Sequence, residues 1–363
     1  MDFSAPITPF MPLVDNRFLL SANADDNKGV GFADICKNAE LFSSGRDALL
    51  RAIKLALDNG SDNSDRSRKI FLPRYFCPWV IKSVLSQHCV RVDFFDDLPT
   101  QQSPDFSTLK AKAGDIVVAV NYFGVRNFSV WADWHKLNSD VILIADFSHA
   151  PFSKQIENST ANYVFASLRK TLPLCDGGYL FGDFQPNKMY CKCGEGCEFS
   201  SAYIYSSALA QIDYQLARDF YYNAEMRLNA KRNISRMSFY AYNSLMRLDL
   251  LKLWDTRRYV QNSFLESLPK TSKFYVLENL DINSNTFDLF CPTLFFESVS
   301  IRDKAYAELA KTGILPSIYW GAKFIDGNVA KEESSRIMSI PLDFRHTQTD
   351  AIKVANILKS ACK

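Results

Sequence analysis

Asp146, His149 and Lys170 have the residue types and the spacing to do chemistry together. Asp146 follows the apolar run Asp-Val-Ile-Leu-Ile-Ala (140–145) and opens Asp-Phe-Ser-His-Ala, which contains His149. Lys170 sits in Ser-Leu-Arg-Lys-Thr (167–171), just beyond the strand-like Tyr-Val-Phe-Ala. Asp-Gly-Gly (176–178) follows and precedes another strand. A lysine amine attacks carbonyls and, once unprotonated, accepts a proton from carbon. A carboxylate at the end of a nearby strand holds a positive charge in place. Upstream, Ser-Ser-Gly-Arg-Asp-Ala-Leu (43–49) opens a helix, where free backbone N–H groups hold a phosphate.

These residues need elements to position them. Ser44 to Leu57 has apolar residues at helical spacing behind a Ser-Gly opening. Residues 69–72, 90–95, 115–122, 140–145 and 163–166 read as short strands, and 79–87 as a helix. Apolar strands separated by helical stretches imply a mainly parallel sheet sandwiched by helices, an α/β domain with ligands at the carboxyl ends of its strands. Ala202 to Arg232 and Ser238 to Leu268 read as extended helices. Beyond Pro269, residues 286–296, 314–320 and 337–341 are strand-like. Residues 301–311 form a helix, and a last helix follows the capping-box candidate Thr347–Asp350. Residues 60–67 and 326–335 read as polar loops. The boundary is placed within a helix, giving a large domain (1–245) and a smaller C-terminal α+β domain (246–363).

Composition narrows the classes. The chain has 363 residues, long enough to bury a core without disulfide or metal staples. Lys plus Arg is 42 against 40 Asp plus Glu, so no strong positive field points to nucleic acid. No apolar run reaches the length of a membrane span, and the opening residues lack a secretory pattern. A cytoplasmic location is expected, with the nine cysteines as reduced thiols. Cys191, Cys193 and Cys197 have the wrong spacing and no nearby histidine for a zinc site, so no metal is expected. Aromatic residues make up 13% of the chain, and composition alone leaves open whether they fill a core or line a site.

One cofactor uses this set of groups. Pyridoxal phosphate (PLP) needs a lysine amine for its aldehyde, a carboxylate for its ring nitrogen and an anion site for its phosphate. The chain resembles the DegT-type sugar nucleotide aminotransferases, PLP enzymes of fold type I. Segments SSGRDAL, LPRYFCPWVIKSVL, VNYFG, ADFSHA, SLRKTLPLCDGG, KRNISRMS and IPLDFRHTQTDAIKVANIL carry the resemblance, in order along most of the chain.

The resemblance implies a role for each matched residue. Lys170 holds the cofactor and moves protons, and Asp146 pairs with the ring nitrogen. His149 contacts the ring side or the phenolic oxygen. Phe76 stacks on the ring, with Tyr75 as a competitor. Ser44, Gly45, Arg46 and Ser167 bind phosphate. Asn121 reaches the phenolic oxygen, and Asn233 reaches the phosphate of a neighbouring subunit in a homodimer. Outside the matched segments, Tyr319 and Trp320 are expected to border the substrate. The chain departs from the pattern at Arg46, where Thr is usual, and at Asp176, where Glu is usual. Ser167 and Asn233 also depart in their spacing. The implied activity moves an amino group, with glutamate as donor, onto a keto sugar nucleotide in polysaccharide or secondary-metabolite biosynthesis. The alternatives are another PLP reaction on the same fold (elimination, or a small keto substrate) and a non-catalytic binding descendant.

Overall fold

The computed structural model describes residues 18–19, 31–32, 39–58, 68–87, 91–189, 194, 197–209, 212–277, 290–320 and 328–362. Its centre is a seven-stranded sheet ordered β1-β7-β6-β5-β4-β2-β3. The strands are β1 (Glu40–Phe42), β2 (Lys69–Pro73), β3 (Arg91–Phe95), β4 (Ile116–Val120), β5 (Ile142–Asp146), β6 (Tyr163–Ser167) and β7 (Gly178–Gly182). Strands β3, β2, β4, β5 and β6 run parallel, and β7 and β1 close the other edge antiparallel. The mainly parallel sheet is therefore as expected, with β1 an addition too short to carry a sequence pattern.

Side-chain alternation divides the strands between two faces. Ile116, Val118, Val120, Ile144 and Phe165 pack in one core with helix α1 (Gly45–Asp58) and helix α2 (Pro78–Gln87). Helix α1 buries Ala48, Leu49, Ala52, Ile53 and Ala56, the stripe its spacing predicts. Val117, Ala119, Leu143, Ala145 and Ala166 form the opposite core with Trp131 of helix α3 (Ser129–Leu137). Burial on both faces explains why these strands read as continuous apolar runs.

The helical block is more broken than its sequence suggests. The segment 202–232 lies in two helices, α4 (Glu198–Leu209) and α5 (Tyr214–Ala230), with the Asp213 side chain capping α5 at Leu216 N. The segment 238–268 also divides, into α6 (Phe239–Arg247) and α7 (Leu250–Ser267), where Asp249 caps α7 by accepting from Lys252 N. In both cases an aspartate inside a helical pattern offers the backbone a new start.

A three-stranded antiparallel sheet, β8 (Phe274–Val276), β9 (Thr293–Phe296) and β10 (Ile337–Ser339), lies in the order β10-β9-β8. Helices α7, α8 (Val299–Lys311) and α10 (Gln348–Ala361) pack on it in a core containing Phe264, Leu309 and Val354. The Thr347–Asp350 capping box forms as its residues predict. Two expectations fail here. Residues 328–336 form helix α9 rather than a loop, because Ala330, Lys331 and Glu332 favour helix without an apolar stripe to announce it. Residues 314–320 form no strand: Pro316 lacks an N–H, Trp320 has a positive φ of 50°, and only Ser317 makes a bridge, to Ser339. Of the strand expected over 286–296, only Thr293–Phe296 is a strand among the described residues. The loop expected at 60–67, Cys191 and Cys193 lie outside the described residues.

Candidate active site

Register brings the chemistry together. Val120 pairs with Asp146 across β4 and β5, and Asp146 pairs with Phe165 on β6. Asn121, Asp146 and Ser167 therefore end three adjacent strands at the same edge, the carboxyl edge. Lys170 follows in a short 3-10 turn, Leu168–Lys170. A cavity of about 290 Å³ opens there, lined by Gly45, Phe76, Asp146, Ser167, Lys170 and Tyr319 among others.

Asp146 is 8% exposed, and its Oδ1 accepts the Ser148 N–H at 2.8 Å. Burial pushes its carboxyl above the usual range, while the positive charge of Lys170 pulls the other way. Burial also pushes the Lys170 ammonium down, against the attraction of Asp146. His149 explains more. Its Nδ1 faces the Phe123 N–H at 3.1 Å, so Nδ1 is the acceptor and the neutral ring carries its proton on Nε2. Nε2 lies 3.4 Å from Lys170 Nζ. An N–H facing an ammonium offers two donors and no acceptor, whereas a neutral amine supplies the lone pair. Burial holds the imidazole well below its usual range, so His149 stays neutral. Its ring lies nearly parallel to Phe123 and Phe290, with centroids 5.3 and 4.7 Å away.

Helix α1 enters the cavity at its N-terminus. Ser44 Oγ accepts the Asp47 N–H at 3.2 Å, and the first intrahelical bond runs from Ala48 N to Ser44 O. The Gly45 and Arg46 amides precede that bond. A Cβ on Gly45 would lie 2.9 Å from Ser167 Cβ, and one on Gly178 would lie 2.5 Å from the Ser44 carbonyl. Both glycines are needed because the helix start presses directly on the ends of β6 and β7. The Arg46 side chain is engaged elsewhere: Nη1 donates to Leu228 O at 2.9 Å and Nη2 to Asn229 Oδ1 at 2.8 Å. Its guanidinium thus caps the C-terminal turn of α5.

Phe76 and Tyr75 have distinct places. Phe76 lines the cavity. Tyr75 is fully buried, and its hydroxyl donates to Tyr319 O at 3.2 Å. Tyr319 and Trp320 also line the cavity, next to His149. Asn121 is 1% exposed, and neither Oδ1 nor Nδ2 has a hydrogen-bond partner among the described residues. Asn233 is exposed and does not line the cavity of its own chain. Asp176 is fully buried, accepting from Ser200 Oγ at 2.5 Å and Ser238 N at 3.1 Å, and it ties α4 and α6 to the lysine loop.

Several cavity residues carry no sequence signal. Arg169 donates to Tyr203 Oη at 2.7 Å and pairs with Glu225 at 3.2 Å, joining α4 and α5 to the lysine turn. Phe290 and Arg257 likewise reach the cavity from scattered segments without a motif. Among the described residues, no group of His, Cys, Asp and Glu could hold a metal ion.

No family profile and no curated protein matches the chain. Solved structures do. TlmJ, an aminotransferase from Streptoalloteichus hindustanus, is 14% identical with a TM-score of 0.65, over 98% of this chain and 99% of that one. DesI, solved with its TDP-sugar product, gives 14% and 0.65 over 100% of this chain and 94% of its own. The Streptococcus pneumoniae sugar aminotransferase candidate Spr1654, in its PLP form, gives 12% and 0.64 over 98% of each chain. The chain has the fold of these aminotransferases over its whole length.

Proposed function

We propose that this protein is a PLP-dependent aminotransferase that moves an amino group, with glutamate as donor, onto a keto sugar nucleotide. One observation carries the reading. Lys170, Asp146 and the N-terminus of α1 meet at one cavity, at the strand ends where this fold places its ligands. The residues fit the cofactor. The Asn121 amide, which follows β4 beside Asp146, is buried with no hydrogen-bond partner among the described residues, a gap that a ligand or water can fill. The pair of close-packed glycines lets the start of α1 sit directly against the ends of β6 and β7, which brings its N-terminus to the cavity. When bound, PLP supplies an aldehyde for amines and a ring that draws electrons from the reacting carbon.

Each residue then has a task. Lys170 Nζ would hold the cofactor's aldehyde carbon and, once displaced by the donor's amine, would serve as the base that accepts the proton of the donor's α-carbon and later gives it back. Asp146 keeps the ring nitrogen protonated. The Gly45 and Arg46 amides and Ser167 hold the phosphate. Phe76 covers one ring face. Neutral His149 keeps its Nε2 proton directed at the lysine, which preserves the free amine. Tyr319 and Trp320 border the sugar. DesI, of the same fold, was solved with a TDP-sugar product, which supports a sugar nucleotide as acceptor. The pathway proposed is polysaccharide or secondary-metabolite biosynthesis.

The protein is proposed to act as a homodimer in the cytoplasm. Helix α5 leaves Leu216, Tyr222 and Met226 exposed, an apolar surface of the kind a second copy covers. Cys77, Cys175, Cys197, Cys291 and Cys362 are free thiols. No helix among the described residues is long and apolar enough to cross a membrane.

Purified protein incubated with PLP is expected to show the visible absorbance of the lysine-linked cofactor. Lys170→Ala should remove attachment that borohydride can trap. L-glutamate should bleach the wild-type absorbance, and a keto sugar nucleotide should restore it. Absence of both absorbance and trapped cofactor in the wild type overturns the reading.

A further inference from the structure

Arg257 is a buried cation without a carboxylate of its own. It is 5% exposed and lines the same cavity as Lys170. Its Nη2 donates to the Thr171 carbonyl at 2.6 Å, the residue directly after the lysine. Its Nε has no partner, and no carboxylate among the described residues lies within ion-pair distance. Asp343 is near enough to act on it electrostatically, but that carboxylate is already held by Arg345 at 2.8 Å and by His346 at 3.5 Å. A guanidinium buried this way is costly unless an anion completes it.

We propose that Arg257 binds the α-carboxylate of the amino donor. The inference rests on the amino-transfer reading above and adds the residue that selects the donor. Three features choose the ligand. The planar guanidinium fork matches a carboxylate with two parallel hydrogen bonds. The cofactor phosphate is assigned to the start of α1, whereas Arg257 comes from α7 and meets the lysine turn from another element. In an α-amino acid, one carbon separates the amine from the carboxylate. An amine that reacts where Lys170 reacts therefore brings its carboxylate to Lys170's immediate surroundings, where Thr171 anchors Arg257. The diphosphate of a sugar nucleotide lies several bonds from the keto carbon and does not meet that constraint.

The test uses Arg257→Gln and Arg257→Lys. Donor affinity is read from the absorbance change when L-glutamate is added to the PLP-loaded protein. Arg257→Gln should weaken apparent glutamate affinity about a hundredfold, and Arg257→Lys by less. The affinity for the keto sugar nucleotide should stay within about twofold, and PLP absorbance and melting temperature should match wild type. Calorimetry with glutarate, a dicarboxylate that has no amine to react, reads the site without chemistry: wild type binds and Arg257→Gln does not. A folded Arg257→Gln protein with unchanged glutamate and glutarate affinity overturns the proposal. So does a loss confined to the keto sugar, which would assign the guanidinium to an acidic acceptor. Glutarate binding that depends on Arg257 in a protein that takes up no PLP would keep the carboxylate site and sink the aminotransferase reading instead.

Discussion

Lys170 shows how one contact sets the state of a reactive group. The Phe123 amide fixes the tautomer of His149, and that tautomer presents a proton to Lys170 Nζ at 3.4 Å. Burial lowers the lysine further, so the amine becomes neutral at lower pH than an exposed lysine. The sign follows directly. The unprotonated fraction grows with pH and levels off below the ordinary lysine range. The rate of PLP attachment, followed by stopped-flow absorbance, should therefore rise with pH and reach its plateau there. A rate that keeps climbing through the ordinary lysine range would contradict the burial and tautomer argument. Asn121 allows a second prediction. Its side chain has no hydrogen-bond partner among the described residues, so Asn121→Ala should leave the melting temperature of the cofactor-free protein unchanged or slightly raised. The same change should weaken PLP binding about tenfold, the effect of losing one hydrogen bond to a charged group. A large loss of stability without cofactor would mean that the amide serves the fold instead.

Among the elements, the start of α1 presses closely on the ends of β6 and β7. A methyl group on Gly45 would meet the Ser167 side chain and backbone at 2.9 to 3.1 Å, and the backbone cannot turn away as a flexible side chain would. Gly45→Ala should cost about 1–3 kcal/mol in urea unfolding and should also weaken phosphate competition against PLP. An alanine variant as stable as wild type would show that the helix start can retreat. The helix start was legible in the sequence because Ser44-Gly45 precedes an apolar helical stripe, whereas its contact with β6 and β7 was not. The parallel strands were legible because burial on both faces leaves an unbroken apolar run. Less was legible where a cap overrides a helical pattern, as Asp213 and Asp249 do. Helix α9 escaped notice because it has no apolar stripe. The roles of Arg169, Phe290 and Arg257 could not be read at all. Each reaches the cavity through tertiary contacts between segments far apart in sequence, and no local spacing encodes that meeting.

Across the whole molecule, we propose residue 245 as the boundary between a large domain, whose sheet carries a core on each face, and a smaller domain built on the core of Phe264, Leu309 and Val354, with Leu250 and Trp254 of α7 tying the second domain to the first. The more consequential question is how Asn233, exposed and outside the cavity lining of its own chain, could serve the site. A symmetric dimer answers it, since a two-fold interface that delivers Asn233 to one partner delivers it to both. Subunit mixing tests this. Lys170→Ala has no amine but keeps Asn233, and Asn233→Ala keeps its amine. If Asn233 acts across the interface, a mixed dimer contains one doubly impaired site and one fully intact site. Denaturing and refolding the two variants together at equal concentration makes about half of the dimers mixed. About a quarter of all sites then regain wild-type phosphate contacts. Activity and PLP affinity should rise above the average of the separately refolded variants, and Tyr222→Glu with Met226→Glu should abolish the gain by exposing like charges where the apolar face was covered. If Asn233 serves its own chain, every site in the mixture lacks either the amine or the amide, and no gain appears.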